Sequence, residues 1–308
     1  MEADAWLPDA ARLGEELGAA SKAERIFAVI DGARVRNLPV LLGRLTIAHA
    51  SLFRGGAGPE LQRVGPYLAV IPLDRDPMTL FVAHESILDA TLFLVSPAEF
   101  EPVRTHLRRF LRVLDTEGRY RYFRFYDPRV LPVYLGSSEP LELAQLFGPI
   151  RRMLARSSDP DTSKPLLLSW EAPEGVAVER FPDVNHPLRL RPEHEAAFAE
   201  DMFERYQRRV VDYLRQEHPV PLAKMSDPQL RAFIGRAREQ APQLRLSAGR
   251  DVTLLAEMMA LGLEEPTRAE LDSHAWYDRP RALQGLRDKA VRTAREQALE
   301  TEAGATPA

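Results

Sequence analysis

The chain has 308 residues, 45% of them hydrophobic and 28% charged, with a formal net charge of −4. That is ample apolar material for more than one buried core, and the charge balance gives no global attraction to nucleic acid or to an anionic membrane. Cysteine is absent, which excludes a disulfide framework, a thiolate nucleophile and any cysteine-ligated metal.

The opening, MEADAWLPDAARLGEELG, is acidic and broken by proline, unlike a signal peptide. No stretch reaches the run of about 18–20 apolar residues that spans a bilayer. A soluble, cytoplasmic protein without a membrane span is expected. Residues 9–19 read as a short amphipathic helix with Leu13 and Leu17 on one side. Ile26–Ile30, ended by Asp31-Gly32, is continuously apolar and predicts a central strand covered on both faces. A helix over Leu38–Ala48, a turn through Gly55–Pro59 and a strand over Tyr67–Leu73 follow. Met78–Ala90 leans to helix and Thr91–Val95 to strand.

The densest local signal lies at 96–129. Ser96, Pro97 and Glu99 have the spacing of a capping box with proline at the first helical position. Phe100, Val103, Leu107, Phe110, Leu111 and Leu114 continue at helical spacing, predicting a helix over 97–114. Asp115-Thr116-Glu117-Gly118 makes a turn, Arg119–Tyr126 reads as a strand, and Asp127-Pro128 caps a further short helix. Glu139–Phe147 is helical and ends at Gly148-Pro149. Leu166–Trp170 and Val176–Phe181, joined by Ala172–Gly175, read as a hairpin after the polar SSDPDTSKP.

Beyond Asn185–Pro192 strand signals vanish. Phe198, Met202, Tyr206, Val210, Tyr213 and Leu214 form a helical stripe, and a second helix follows Asp227-Pro228. Ser247 opens a third, closed near Gly262, and a fourth covers about Pro280–Glu296. Met202, Phe203, Met258 and Met259 read as core. The expected organisation is an α/β (α+β) N-terminal domain with a mixed sheet over 1–185, an all-α helical domain over 186–300, and a disordered tail at 301–308.

The search for chemistry returns near-misses. His194-Glu195 and His84-Glu85 begin like a zinc-binding HExxH, but Phe198 and Leu88 occupy the second histidine's place. Arg245-Leu246-Ser247-Ala248-Gly249 lacks the first glycine of a nucleophile elbow, so Ser247 reads as a helix cap. Gly56-Ala57-Gly58 lacks the third glycine of a dinucleotide loop. No catalytic residue, metal or cofactor is expected.

Arginine is concentrated instead. From Arg104 to Arg156 eleven arginines face five acids, a local balance of +6. Arginine interleaved with aromatics suits a protein-binding face, a structural role in the sheet or, less well, single-stranded nucleic acid. Arg104, Arg108 and Arg112, at four-residue steps, would line one side of the 97–114 helix. With Arg124, Tyr126, Arg129, Arg151 and Arg152 they are the candidate partner-binding residues. Asp31, Asp127, Pro128, Gly148 and Pro149 read as structural, Asp127 capping a helix start and pairing with Arg129.

Several of these pieces occur together in a known order. Ile26–Ala33 (IFAVIDGA), Pro66-Tyr67-Leu68, HLRRFLRV, YFRFYDPRVL and LFGPIRR resemble the signature of the Tap/Tec-type effector chaperones of type VI secretion over roughly 20–155. The segment DATLFLVS lacks the tryptophan and arginine that the family carries before its helix. The resemblance implies a non-enzymatic adaptor that binds one toxic effector in the cytoplasm and helps load it onto a VgrG or PAAR-type spike protein. It implies neither nucleic acid nor cofactor. A hydrolase or transferase with a site built from dispersed residues is the alternative, and a single-stranded nucleic-acid module using the arginine segment a further one.

Overall fold

The computed structural model describes residues 13, 15–17, 23–45, 47–53, 58–71, 85–158, 165–183, 186–246, 249–273 and 279–304. They form two compact units, one running to Ala199 and the other from Glu200.

In the first unit, β1 (Arg25–Asp31) is buried at every position after Arg25. It stands among β2 (His49–Ser51), β3 (Pro66–Ile71), β4 (Thr91–Ser96), β7 (Arg152–Ser158) and β8 (Pro165–Glu171) in a six-stranded sheet of order β2-β3-β1-β4-β7-β8. Ile26 pairs with Ile71 on one side and Val95 on the other, and all the pairings are antiparallel. The expected α/β region followed by helices is present, with an antiparallel sheet in place of a mixed one. The continuous apolar runs report two-sided cover. Phe27, Val29, Leu92 and Leu94 face one core, and Ile26, Ala28, Ile30, Phe93 and Val95 face another. Such runs do not distinguish a parallel strand from an antiparallel one buried on both faces.

The second core is closed by α1 (Leu38–Arg44), through Leu38 and Leu42, and by Ile87 and Leu88 of α3 (Glu85–Leu88). Helix α2 (Pro59–Val64) precedes β3. Most of the 78–90 segment, and the turn at 54–57, lie outside the described residues. The first core is closed by α4 (Phe100–Leu107), α5 (Leu131–Ser137) and α6 (Pro140–Phe147).

Four local expectations are corrected. The helix expected over 97–114 stops at Leu107, followed by a 3-10 turn at Arg108–Phe110 and strand β5 (Arg112–Leu114). β5 pairs with β6 (Tyr120–Tyr122), so Leu111 and Val113 are buried as strand-side residues. Ser96 is not a helix cap: its hydroxyl donates to the Pro149 carbonyl at 2.6 Å and accepts from the Ala98 N–H. The hairpin expected between 166–170 and 176–181 does not form, because β8 pairs back onto β7. The Asp127 carboxylate likewise does not cap a helix, since α5 begins four residues later at Leu131 and receives only the Asp127 backbone carbonyl.

Helix α7 (Pro192–Glu217) supplies His194 and Phe198 to the first unit and Val210, Val211 and Leu214 to the second. There it joins α8 (Asp227–Gln240), α9 (Gly249–Ala260), α10 (Arg268–Asp272) and α11 (Arg279–Gly304). Ser226 caps α8 in a reciprocal box with Gln229, and Asp227 and Pro228 occupy its first positions. Leu230, Ile234, Leu255, Leu271 and Leu283 form the core of this unit. Met258 and Met259 belong to it as expected, whereas Met202 is 69% exposed. Ser247 and residues 305–308 lie outside the described residues. Among the described residues no helix is long and apolar enough to cross a membrane.

Candidate partner-binding site

The separated sequence motifs of the first unit converge on shared contacts. Asp31, at the end of β1, is buried, and one carboxylate oxygen accepts the Ala33 N–H at 3.0 Å. The other is paired with the Arg124 guanidinium, which also lies 3.8 Å from Asp127. Asp127, 3% exposed, holds Arg129 by two parallel guanidinium bonds of 2.9 and 2.7 Å and accepts its N–H at 3.0 Å. Burial pushes the Asp127 carboxyl up, but these bonds and the Arg124 charge outweigh it and leave the pKa lowered. Tyr126 is buried, and its hydroxyl bonds that of Tyr122 at 2.9 Å. Burial, then the neighbouring Tyr122, raises the Tyr126 pKa. Pro128 is buried beside them. The AVIDGA and FRFYDPR motifs are thus two halves of one ionic cluster.

HLRRF and FGPIRR meet in the same way. His106, 3% exposed, has Nε2 at 2.8 Å from the Leu146 carbonyl, and its ring packs against Phe110 and Phe181. Gly148 (φ +52°) lies against that ring. Burial lowers the His106 pKa to about 4; the bond to Leu146 opposes the shift and the Arg109 charge adds to it. The folded state therefore binds fewer protons than the unfolded chain between pH 6.5 and about 4. Stability contributed by neutral His106 is present above pH 6.5 and is lost as pH falls through that window, to a total on the order of 3 kcal/mol. Urea unfolding at pH 7.5 and pH 4.5 should show this loss, and a His106→Gln variant should show a correspondingly shallower pH slope.

The expected row Arg104–Arg108–Arg112 is broken by the end of α4: Arg112 lies on β5. Arg104 donates twice to the Ser51 carbonyl, at 3.1 and 3.0 Å, and pairs with Glu101. Arg108 donates to the carbonyls of Leu52 and Phe53. Both guanidiniums therefore stitch α4 and the following turn to the 51–53 segment, satisfying carbonyls at the sheet's margin. Arg152 holds the Glu16 carboxylate at 3.1 Å and its backbone carbonyl at 2.7 Å, while exposed Arg151 lies 3.6 Å from Glu24. Pro149 supplies the acceptor for Ser96.

Beside these anchors lies a groove of about 490 Å³. Its apolar lining includes Leu52, Phe53, Leu61 and Leu111, with Tyr120 and Tyr122 from β6. Leu61, Tyr120 and Tyr122 are 52%, 53% and 47% exposed, a concentration of large apolar surface at one place. Arg108, Arg109 and Arg112 line it against one acid, Asp183. Arg112 lies 4.2 Å above the Tyr120 ring and Arg109 5.4 Å above that of Phe181. Among the described residues no carboxylate lies within ion-pairing distance of the Arg109 or Arg112 guanidinium.

The β5–β6 turn that carries Tyr120 and Tyr122 is held by Asp115. Its carboxylate accepts the N–H groups of Glu117 and Arg119 and the guanidiniums of Arg119 and Arg121. Burial pushes its pKa up, and the bonds from Arg119 and Arg121 overcome this to hold it at about 2. Of the candidate residues, Arg108 and Arg112 line this groove, together with Leu61, Arg109, Tyr120 and Tyr122, which the sequence analysis does not single out. The available signal was the pair of tyrosines two apart after a tight turn, which share one face of a short strand.

Among the described residues no group of three or more histidines and acids could hold a metal ion. A family model described as a domain of unknown function (DUF4123) matches residues 26–145, which contain the ionic cluster and most of the groove. That family is associated with type VI secretion effector adaptors. No curated protein and no solved structure matches the chain.

Proposed function

We propose that this protein is a non-enzymatic adaptor that binds a type VI secretion effector in the cytoplasm and delivers it to a VgrG or PAAR-type spike. The observation that carries the reading is the groove, whose exposed tyrosines and arginines sit on a scaffold fixed by the motif contacts. Tyrosine and arginine are the groups that protein–protein hot spots favour, because each joins a large rigid contact area to directed hydrogen bonds. A carrier also has to release its cargo, which suits a shallow surface of moderate affinity better than an enclosed cavity. The family match over 26–145 supports the same class of function.

Deleting the gene in its native host and analysing the secreted proteins tests the proposal. One toxin should disappear from the secreted fraction while other substrates of the same machine continue to leave the cell. That toxin should co-purify with the tagged adaptor from the cytosol. Unchanged secretion of every substrate in the deletion strain would overturn the reading.

A further inference from the structure

Resting on the adaptor reading, we infer that the groove takes an acidic segment of the partner polypeptide, with an aromatic or branched apolar side chain seated between Tyr120, Tyr122 and Leu61 and carboxylates meeting Arg109 and Arg112. Charge and shape both select this occupant. The lining sets three arginines against one aspartate, inside a chain whose overall charge is −4. Arg108 already donates to the carbonyls of Leu52 and Phe53, so its guanidinium serves the scaffold. Arg109 and Arg112 instead lie over aromatic rings, with no carboxylate in ion-pairing range among the described residues. Stacking holds the two planes in place and leaves their N–H edges able to donate to an incoming carboxylate.

The apolar part is equally specific. Leu111 is 6% exposed, and the Phe53 and Tyr122 rings pack at 5.7 Å. The Tyr122 hydroxyl is tied to Tyr126, which is itself buried in the first core. The lining is therefore built before the partner arrives, which lowers the ordering cost of binding. An apolar side chain placed here removes exposed surface of Leu61, Tyr120 and Tyr122 from water. Acidic neighbours give orientation and a faster encounter.

The test uses the full chain and a phage-displayed library of random dodecapeptides. Enriched peptides should combine one or two large apolar residues with flanking Asp or Glu. By fluorescence anisotropy, Arg109→Glu with Arg112→Glu should weaken a representative peptide about tenfold or more. The wild-type affinity should fall as salt rises from about 50 to about 500 mM, and that of the variant should not. Tyr120→Ser, at an exposed position, gives a second reading if the charge reversal unfolds the hairpin; it should weaken the same peptide while leaving the melting temperature unchanged.

Basic or uncharged enriched sequences, no enrichment, or undiminished affinity in the folded variants would overturn the inference. Binding of an oligothymidylate that the double variant abolishes would assign the groove to nucleic acid. Concentration-dependent self-association lost in the double variant would assign it to a second copy of this chain. An effector that still co-purifies with the folded double variant would leave the adaptor reading standing and remove the groove from it.

Discussion

Gly148→Ala is expected to lower the melting temperature of the first unit more than any surface substitution. Gly148 sits at φ +52° and ψ −112°, a conformation that costs an L residue roughly 1–3 kcal/mol. A Cβ built there would lie 2.2 Å from Cε1 and 2.6 Å from Nε2 of His106. The ring cannot yield freely, because Phe110 and Phe181 pack against it and its Nε2 meets the Leu146 carbonyl. Displacing it leaves buried polar groups without partners, at about 1–3 kcal/mol more. The steric and backbone parts separate in a double-mutant cycle. His106→Ala removes the obstruction, so His106→Ala with Gly148→Ala should lose clearly less stability than the two single losses added together. Strict additivity in urea unfolding would show that the ring and the glycine do not interact.

Glu257→Ala is expected to produce a loss of about 3–5 kcal/mol in the helical unit, the range seen when one member of a buried ion pair is removed. Glu257 on α9 is fully buried, and its Oε1 lies 2.6 Å from Nε2 of His218, just beyond α7. The same oxygen accepts from Arg287 on α11. Arg287 is raised in pKa, first by its hydrogen bond to Glu257 and against the cost of burial, so it stays charged. One carboxylate therefore ties α9 to α11 and to the residue that follows α7, and its removal leaves a largely covered guanidinium with Asp288 alone. Glu257→Leu with Arg287→Leu removes both charges, and most of the loss should return. Far-UV circular dichroism during urea titration reads the effect directly. A double variant as unstable as Glu257→Ala would mean that packing, rather than the orphaned charge, sets the cost.

The sequence exposed those parts of the fold whose pattern admits one explanation. β1, β3 and β4 each carry a continuous apolar run, and α6 is preceded by Glu139, which forms a capping box with Glu142 in the structure. The turn at Asp115–Gly118 and the stops at Gly148 and Gly262 were equally plain, each needing a glycine at positive φ. Residues 108–114 were misread because Phe110, Leu111 and Leu114 fit a helical stripe as well as a strand. Pairing with Tyr120–Tyr122 decides between them, and that contact is not local to the helix. β7 was invisible because, among its described side chains, only Met153, Leu154 and Ala155 are buried, and its polar ends resemble a loop. The groove was harder still. Arginine content located the region, but whether a guanidinium bonds a carbonyl, stacks on a ring or faces solvent depends on residues some 50 positions away, such as Ser51 for Arg104.

The place of β1 in the sheet also bears on how the chain is made. β1 is the first strand of the sheet to be synthesised and ends in its interior, between partners that come much later. Roughly 60 residues separate Asp31 from Thr91, where β4 begins. At a synthesis rate of about 5–20 residues per second, the apolar segment Ile26–Ile30 waits several seconds for its second neighbour. No hairpin can shelter it in the meantime, since even β3 lies beyond α1, β2 and α2. Long-range pairing of this kind slows folding and leaves sticky strands open to wrong partners. The apolar run Ile26–Ile30 thus stays without its second sheet neighbour until translation has passed β4.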